Sequence, residues 1–160
     1  MTNNDILRRI RYTFDFKDST MVEIFAAADS QVTQEQISAW LSKETDAVFS
    51  DTELAIFLNG LINTKRGKRE GEQPNPEARL TNNMIFMKLR IALDMKAEDI
   101  LETLSVVDFS LSKHELNAFF RKPDNKHYRD CKDQILRNFL MGAQRQLRPE
   151  DKREYQELVN

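Results

Sequence analysis

Residues 2–25, TNNDILRRIRYTFDFKDSTMVEIF, and residues 81–104, TNNMIFMKLRIALDMKAEDILETL, are two versions of one segment set 79 residues apart. Polar positions recur along with apolar ones: Thr2/Thr81, Asn3/Asn82, Asn4/Asn83, Arg11/Arg90, Asp15/Asp94, Glu23/Glu102 and, just beyond, Asp29/Asp108. Two unrelated amphipathic helices share an apolar period but have no reason to share polar residues as well, so the agreement marks an internal duplication. The apolar pairs Ile6/Ile85, Leu7/Phe86, Ile10/Leu89, Phe14/Leu93, Met21/Ile100 and Phe25/Leu104 fall at the three- and four-residue spacings of a helix buried on one side.

Working outward, the match continues through Val32/Leu111, Ile37/Leu116, Trp40/Phe119 and Leu41/Phe120. After Lys43 the offset becomes 82, and Leu54, Phe57, Leu58 and Gly60 align with Leu136, Phe139, Leu140 and Gly142. The second copy carries its extra residues in the loop around Pro123 to Tyr128. Each copy reads as four helices. Asn3 or Asn4 is expected to cap the first, and Asp18 or Ser19 to open the second. Thr33 with Gln36, and Ser112 with Glu115, make capping boxes for the third, and Asp51 or Thr52 opens the fourth.

The predicted fold class is therefore all-α, two tandem four-helix units forming a pseudo-two-fold pair or a stacked array. Unit one spans residues 1–66 and unit two 81–147. Residues 67–80, rich in Gly, Pro and charge, form a solvated linker, and residues 148–160 a short helical tail with Pro149 in its first turn.

Composition agrees. In 160 residues, Leu, Ile, Phe, Ala, Glu, Lys and Arg outweigh Val and Thr, and only four Gly and four Pro occur, too few for the turns of a β-sandwich. The 24 Lys plus Arg nearly balance 26 Asp plus Glu, so the chain as a whole lacks the positive field of a dedicated nucleic-acid binder. One cysteine, Cys131, cannot form an internal disulfide, which suits a reducing compartment. Residues 1–10 hold no apolar run of a secretion leader, and nothing approaches a membrane span, so a cytoplasmic location without membrane contact is expected.

With the repeat established, the strings NNDILRRIRY, MVEIFA and FLNGLI.TKRGK in unit one and AFFRKPD..Y..C...L..FL.G in unit two resemble the YehS-like bacterial proteins over nearly the whole chain. These are built from two tandem copies of a domain of unknown function, number 1456. The resemblance implies a small bacterial cytoplasmic protein and supplies no activity, cofactor or functional residue. It also implies a longer KPD..Y..C loop in both units, where unit one here has the shortened KETDAVFSD and no cysteine to match Cys131.

Chemistry-bearing motifs are sparse. His114, His127 and Cys131 occur only in unit two, and a His-x3-Cys pair offers two of the three or four ligands a metal needs. No GxGxxG or GxxxxGK[ST] is present, so no enzyme activity, cofactor or metal is expected. Helix, short turn and VTxxxISxxL in MVEIFAAADSQVTQEQISAWLSK, repeated as ILETLSVVDFSLSKHELNAFFRK, follow a helix-turn-helix pattern. Only the second offers a set for phosphate contact, the cations Lys113, Arg121 and Lys122 with the neutral donor Asn117. Arg11/Asp15 and Arg90/Asp94 are spaced for ion pairs within one helix, and Asp29 and Asp108 for ending the second helix or capping the third. The functional expectation is a non-enzymatic module for an unknown protein partner. The alternative is a nucleic-acid-binding regulator acting through the helix-turn-helix-like segments. Oligomeric state is not fixed by these features.

Overall fold

A computed structural model describes residues 1–148, and the expected C-terminal helical tail lies outside the described residues. Eight helices and no strand occur among them: α1 (Asn3–Phe14), α2 (Asp18–Ala27), α3 (Gln34–Leu41), α4 (Asp51–Arg66), α5 (Asn82–Ala92), α6 (Ala97–Ser105), α7 (Lys113–Ala118) and α8 (Asp133–Leu147). Within each unit the second helix packs on the third and fourth, and between units α4 packs on α5 while α8 packs on α1. That exchange is reciprocal: each unit gives its fourth helix to the other's first. It identifies a pseudo-two-fold pair and not a stacked array, in which only one of the two contacts would form.

The apolar stripes make one continuous core. Leu7, Ile24, Ile37, Leu54, Phe57 and Leu58 of unit one and Phe86, Ile100, Leu104, Leu116, Leu136 and Phe139 of unit two are fully buried. Phe25, Trp40, Phe49 and Phe57 form an aromatic cluster in unit one, answered by Phe86, Phe120 and Phe139 in unit two. Burying one such ring is worth on the order of 1.5–3 kcal/mol, so this shared core explains why apolar identity persists between the copies.

The glycine pair marks the tightest approach. A Cβ on Gly60 would collide with the Ile24 carbonyl and on Gly142 with that of Thr103, so in both units the fourth helix lies directly against the second helix's backbone.

Several local expectations change. The first helix of each unit is capped by Thr, not Asn: the Thr2 hydroxyl accepts from Asp5 N at 3.0 Å, and the Asp5 carboxylate accepts from Thr2 N at 3.0 Å. Thr81 repeats this with Met84 N. Helix α4 does begin at Asp51, with Ser50 and Glu53 forming its capping box. The boxes of Thr33 with Gln36 and of Ser112 with Glu115 form as expected.

The intrahelical pairs do not form, because α1 ends at Phe14 and Asp15 turns left-handed at φ 53°. Arg11 instead reaches Asp18 at 3.1 Å, and Arg90 donates to Met95 O and lies over the Phe120 ring. Asp94, Asp29 and Asp108 are left-handed too, so all four repeated aspartates are turn residues, a conformation their short polar side chain tolerates. The linker is likewise more engaged than a free tether. Leu80 packs on the core, Leu80 N donates to Asp51, and Glu77 pairs with Lys88 at 3.0 Å, while Arg66 at the end of α4 pairs with Asp94 across the units at 3.1 Å.

Candidate functional site

Asn3, Asn4 and their counterparts are freed from capping and act as clamps. Asn4 Nδ2 donates to the carbonyls of Trp40 and Ala47, both at 2.9 Å, and its oxygen accepts from Phe49 N at 3.2 Å. Asn83 repeats all three bonds on Phe119 O, Arg129 O and Cys131 N. The preceding Asn3 and Asn82 each donate to the aspartate that opens the fourth helix, at 2.7 Å. These amides hold the Asp51 and Asp133 carboxyls below the usual carboxylate range. Every TNN segment thus fixes the loop between its unit's third and fourth helices, which forms one wall of a groove.

Two grooves result, related by the pseudo-two-fold. The first lies between α4, α5, the linker and the α7–α8 loop, and encloses about 650 Å³. Ile62, Met84, Met87, Ile91 and Phe120 make it mostly apolar, and Ile91 is 46% exposed. Lys88 crosses it, donating to Asn59 Oδ1 at 2.7 Å and pairing with Glu77 of the linker at 3.0 Å. Arg69 and Arg121 stand on its border. The second groove, about 460 Å³, lies along α1 and α8, where Asp5, Arg8, Arg9 and Tyr12 take the places of Met84, Met87, Lys88 and Ile91. The fold is the same and the chemistry is inverted: the second groove is basic, with Lys43 and Arg137 beside Arg8 and Arg9.

The expected nucleic-acid contacts are spread over different surroundings. Lys113 is held by Glu98 of α6 at 2.6 Å, a pair that also lowers the Glu98 carboxyl's pKa. Asn117 is half-buried at the end of a six-residue helix, its carbonyl accepting from Phe120 N. Arg121 borders the apolar groove, and Lys122 is exposed in the following turn. Helix α7 makes fewer than two turns, short for a helix that must span a major groove.

The thiol and the imidazoles stand in different surroundings, the thiol buried and the two imidazoles exposed. Cys131 is 4% exposed, and burial pushes its thiol up to about 12, while nucleophilic attack requires thiolate. Its counterpart in unit one is the core residue Phe49, so it fills a packing position. His114 and His127 sit exposed with ring centroids 6.3 Å apart. No group of three or more His, Cys, Asp or Glu side chains is placed to hold a metal among the described residues. No helix among them is long and apolar enough to cross a membrane.

Sequence comparison of the copies held the signal for both grooves. Met84, Met87 and Ile91 put apolar side chains on a helix face where unit one has Asp5, Arg8 and Tyr12, but the face has no evident use until α4 and the linker are seen beside it.

Comparison with known proteins agrees with the duplication. The family model described as protein of unknown function (DUF1456) matches twice, at residues 3–67 and 82–157. The chain is 45% identical over 146 residues to the uncharacterized protein YehS of Escherichia coli (strain K12), covering 89% of this chain and 94% of that one. No solved structure matches. With both units matched and a relative aligned along most of its length, the chain belongs to the DUF1456 family of proteins of unknown function.

Proposed function

We propose that the protein is a non-enzymatic binding module whose α4–α5 groove takes a short apolar segment of a partner protein. One observation carries this reading: Met84, Met87 and Ile91 line an open groove at positions where the other copy is charged or polar. The fold does not require apolar residues there, since unit one builds the same helix with Asp5, Arg8 and Tyr12. Apolar surface kept in water without a packing need is a recognition surface, and flexible methionines suit it to an irregular apolar partner. Arg69 and Arg121 on its border favour a segment whose apolar centre is flanked by acidic residues.

The test is selection from a displayed peptide library on the full chain, followed by affinity measurement on the Met84→Asp/Met87→Arg variant, which carries unit one's residues. Selected peptides are expected to be apolar at their centre and to bind the variant at least about tenfold more weakly, from the loss of about 1.5–3 kcal/mol for one buried methionine. Thermal stability stays unchanged. Equal affinity for wild type and variant contradicts the proposal.

A second reading, a nucleic-acid-binding regulator using Lys113, Asn117, Arg121 and Lys122, is favoured by the exposed cations Arg121, Lys122, Lys126, Arg129 and Lys132 in the segment that follows α7. It predicts that a labelled random-sequence duplex binds with an affinity falling steeply with salt, and more weakly to the Arg121→Gln/Lys122→Gln variant. Absence of binding at low salt rejects it.

A further inference from the structure

The two grooves share one feature despite opposite linings: a cation at the same position of each unit's first helix, Lys88 in α5 and Arg9 in α1. In the α4–α5 groove the role of that cation is visible. Linker residues 73–77, non-helical, pass across it; Gln73 accepts from Asn63, and Glu77 brings its carboxylate 3.0 Å from Lys88 Nζ. In the α1–α8 groove no described segment crosses. Among the described residues Arg9 Nη1 meets only neutral acceptors, Gln144 Oε1 at 3.2 Å and Met141 Sδ at 3.6 Å. Arg9, Lys43 and Arg137 have no ion pair among the described residues, whereas Arg8 is engaged by Asp5 at 2.7 Å.

A half-buried guanidinium with only neutral acceptors gives up hydration without a compensating charge, and a carboxylate supplied to it forms a charge-assisted bond stronger than either neutral one. We infer that the α1–α8 groove is a carboxylate-binding site for an acidic, extended segment of a partner protein, lying across it as residues 73–77 lie across the α4–α5 groove. Arg9 takes the carboxylate in the place of Lys88, and Lys43 and Arg137 receive flanking acidic residues. A nucleic-acid backbone fits less well. Repeated phosphates need an unbroken row of cations, and Asp5 and Asp133 interrupt this face, Asp133 pairing with the amino terminus.

This site is separate from the apolar groove, so either can fail without the other. The test is anisotropy of a labelled octaglutamate peptide titrated with the full chain at low and physiological salt, with octathymidylate of equal length as competitor. Saturable peptide binding is expected, weakened about tenfold or more by Arg9→Gln and severalfold by Lys43→Gln/Arg137→Gln, and unchanged by Lys88→Gln. The Lys43/Arg137 pair lies outside the core and keeps the test meaningful should Arg9→Gln lower stability. No saturable binding overturns the inference. Arg9-dependent binding of octathymidylate that outcompetes the peptide overturns it in favour of phosphate.

Discussion

Replacing Gly60 by alanine sets two effects against each other. Alanine is the better helix former by about 1 kcal/mol, so on propensity alone Gly60→Ala stabilises α4. Against that, the new Cβ would stand 2.8 Å from the Ile24 carbonyl carbon, 3.2 Å from its Cγ2 and closer still to the carbonyl oxygen. Ordinary separation is about 3.5 Å, so α2 must retreat from α4 by roughly 1 Å or more. Backbone cannot rotate away as a side-chain end can, and the two helices carry Ile24, Phe25, Phe57 and Leu61, all buried. Overpacking of this kind costs about 1–3 kcal/mol and here falls at or above the upper end, leaving a net loss of about 2 kcal/mol after the helix gain. At about 2–4 °C per kcal/mol, Tm falls by about 4–8 °C in a calorimetric scan, and Gly142→Ala does the same through the Thr103 carbonyl. Either variant melting at or above the wild-type temperature would refute the helix contact.

Asn83→Ala removes three bonds at once and leaves Phe119 O, Arg129 O and Cys131 N without their partner, so urea unfolding should show a loss of about 2–4 kcal/mol. Thr13 Oγ1 is buried with no hydrogen-bond partner among the described residues, where unit two has Ala92, so Thr13→Ala should be neutral or stabilising by up to about 1 kcal/mol in the same assay. Cys131, buried and protonated, should resist a disulfide reagent at pH 8 in native protein and react fully in denaturant.

Acid titration has a defined sign. Asp5 sits at about 2, held chiefly by the Thr2 backbone amide and then by Arg8, against an ordinary 3.8, and Asp51 and Asp133 are lowered too. Carboxyls depressed in the folded state contribute stability that is present above about pH 4 and lost as pH falls toward 2. Asp5→Asn should flatten that acid limb of stability against pH.

The duplication and the core were legible because burial imposes a period that survives in each copy: Leu7, Phe57 and their partners could be placed from spacing alone. The capping boxes at Thr33 and Ser112 were legible because all their partners lie within four residues. What was misread depended on contacts distant in sequence. Asn4 looks like a cap by local rule, yet its partners are 36 to 45 residues away and Thr2 already serves the helix end. Arg11 and Asp15 have helical spacing, but the helix ends between them. The grooves exist only once α4 meets α5 and α8 meets α1, so the linker's Glu77 could be read as solvated charge until Lys88 stood beside it.

The methionines report directly on the central claim, that the α4–α5 groove is a binding surface. Met84 and Met87 line it, Met141 touches Arg9 in the opposite groove, and Met21 is sealed in the core. Methyl NMR of full-length protein labelled at methionine, titrated with an apolar-centred peptide from the library selection, should move Met84 and Met87 while Met141 and Met21 hold still. Movement at Met141 alone, or at none of the four, would contradict the account.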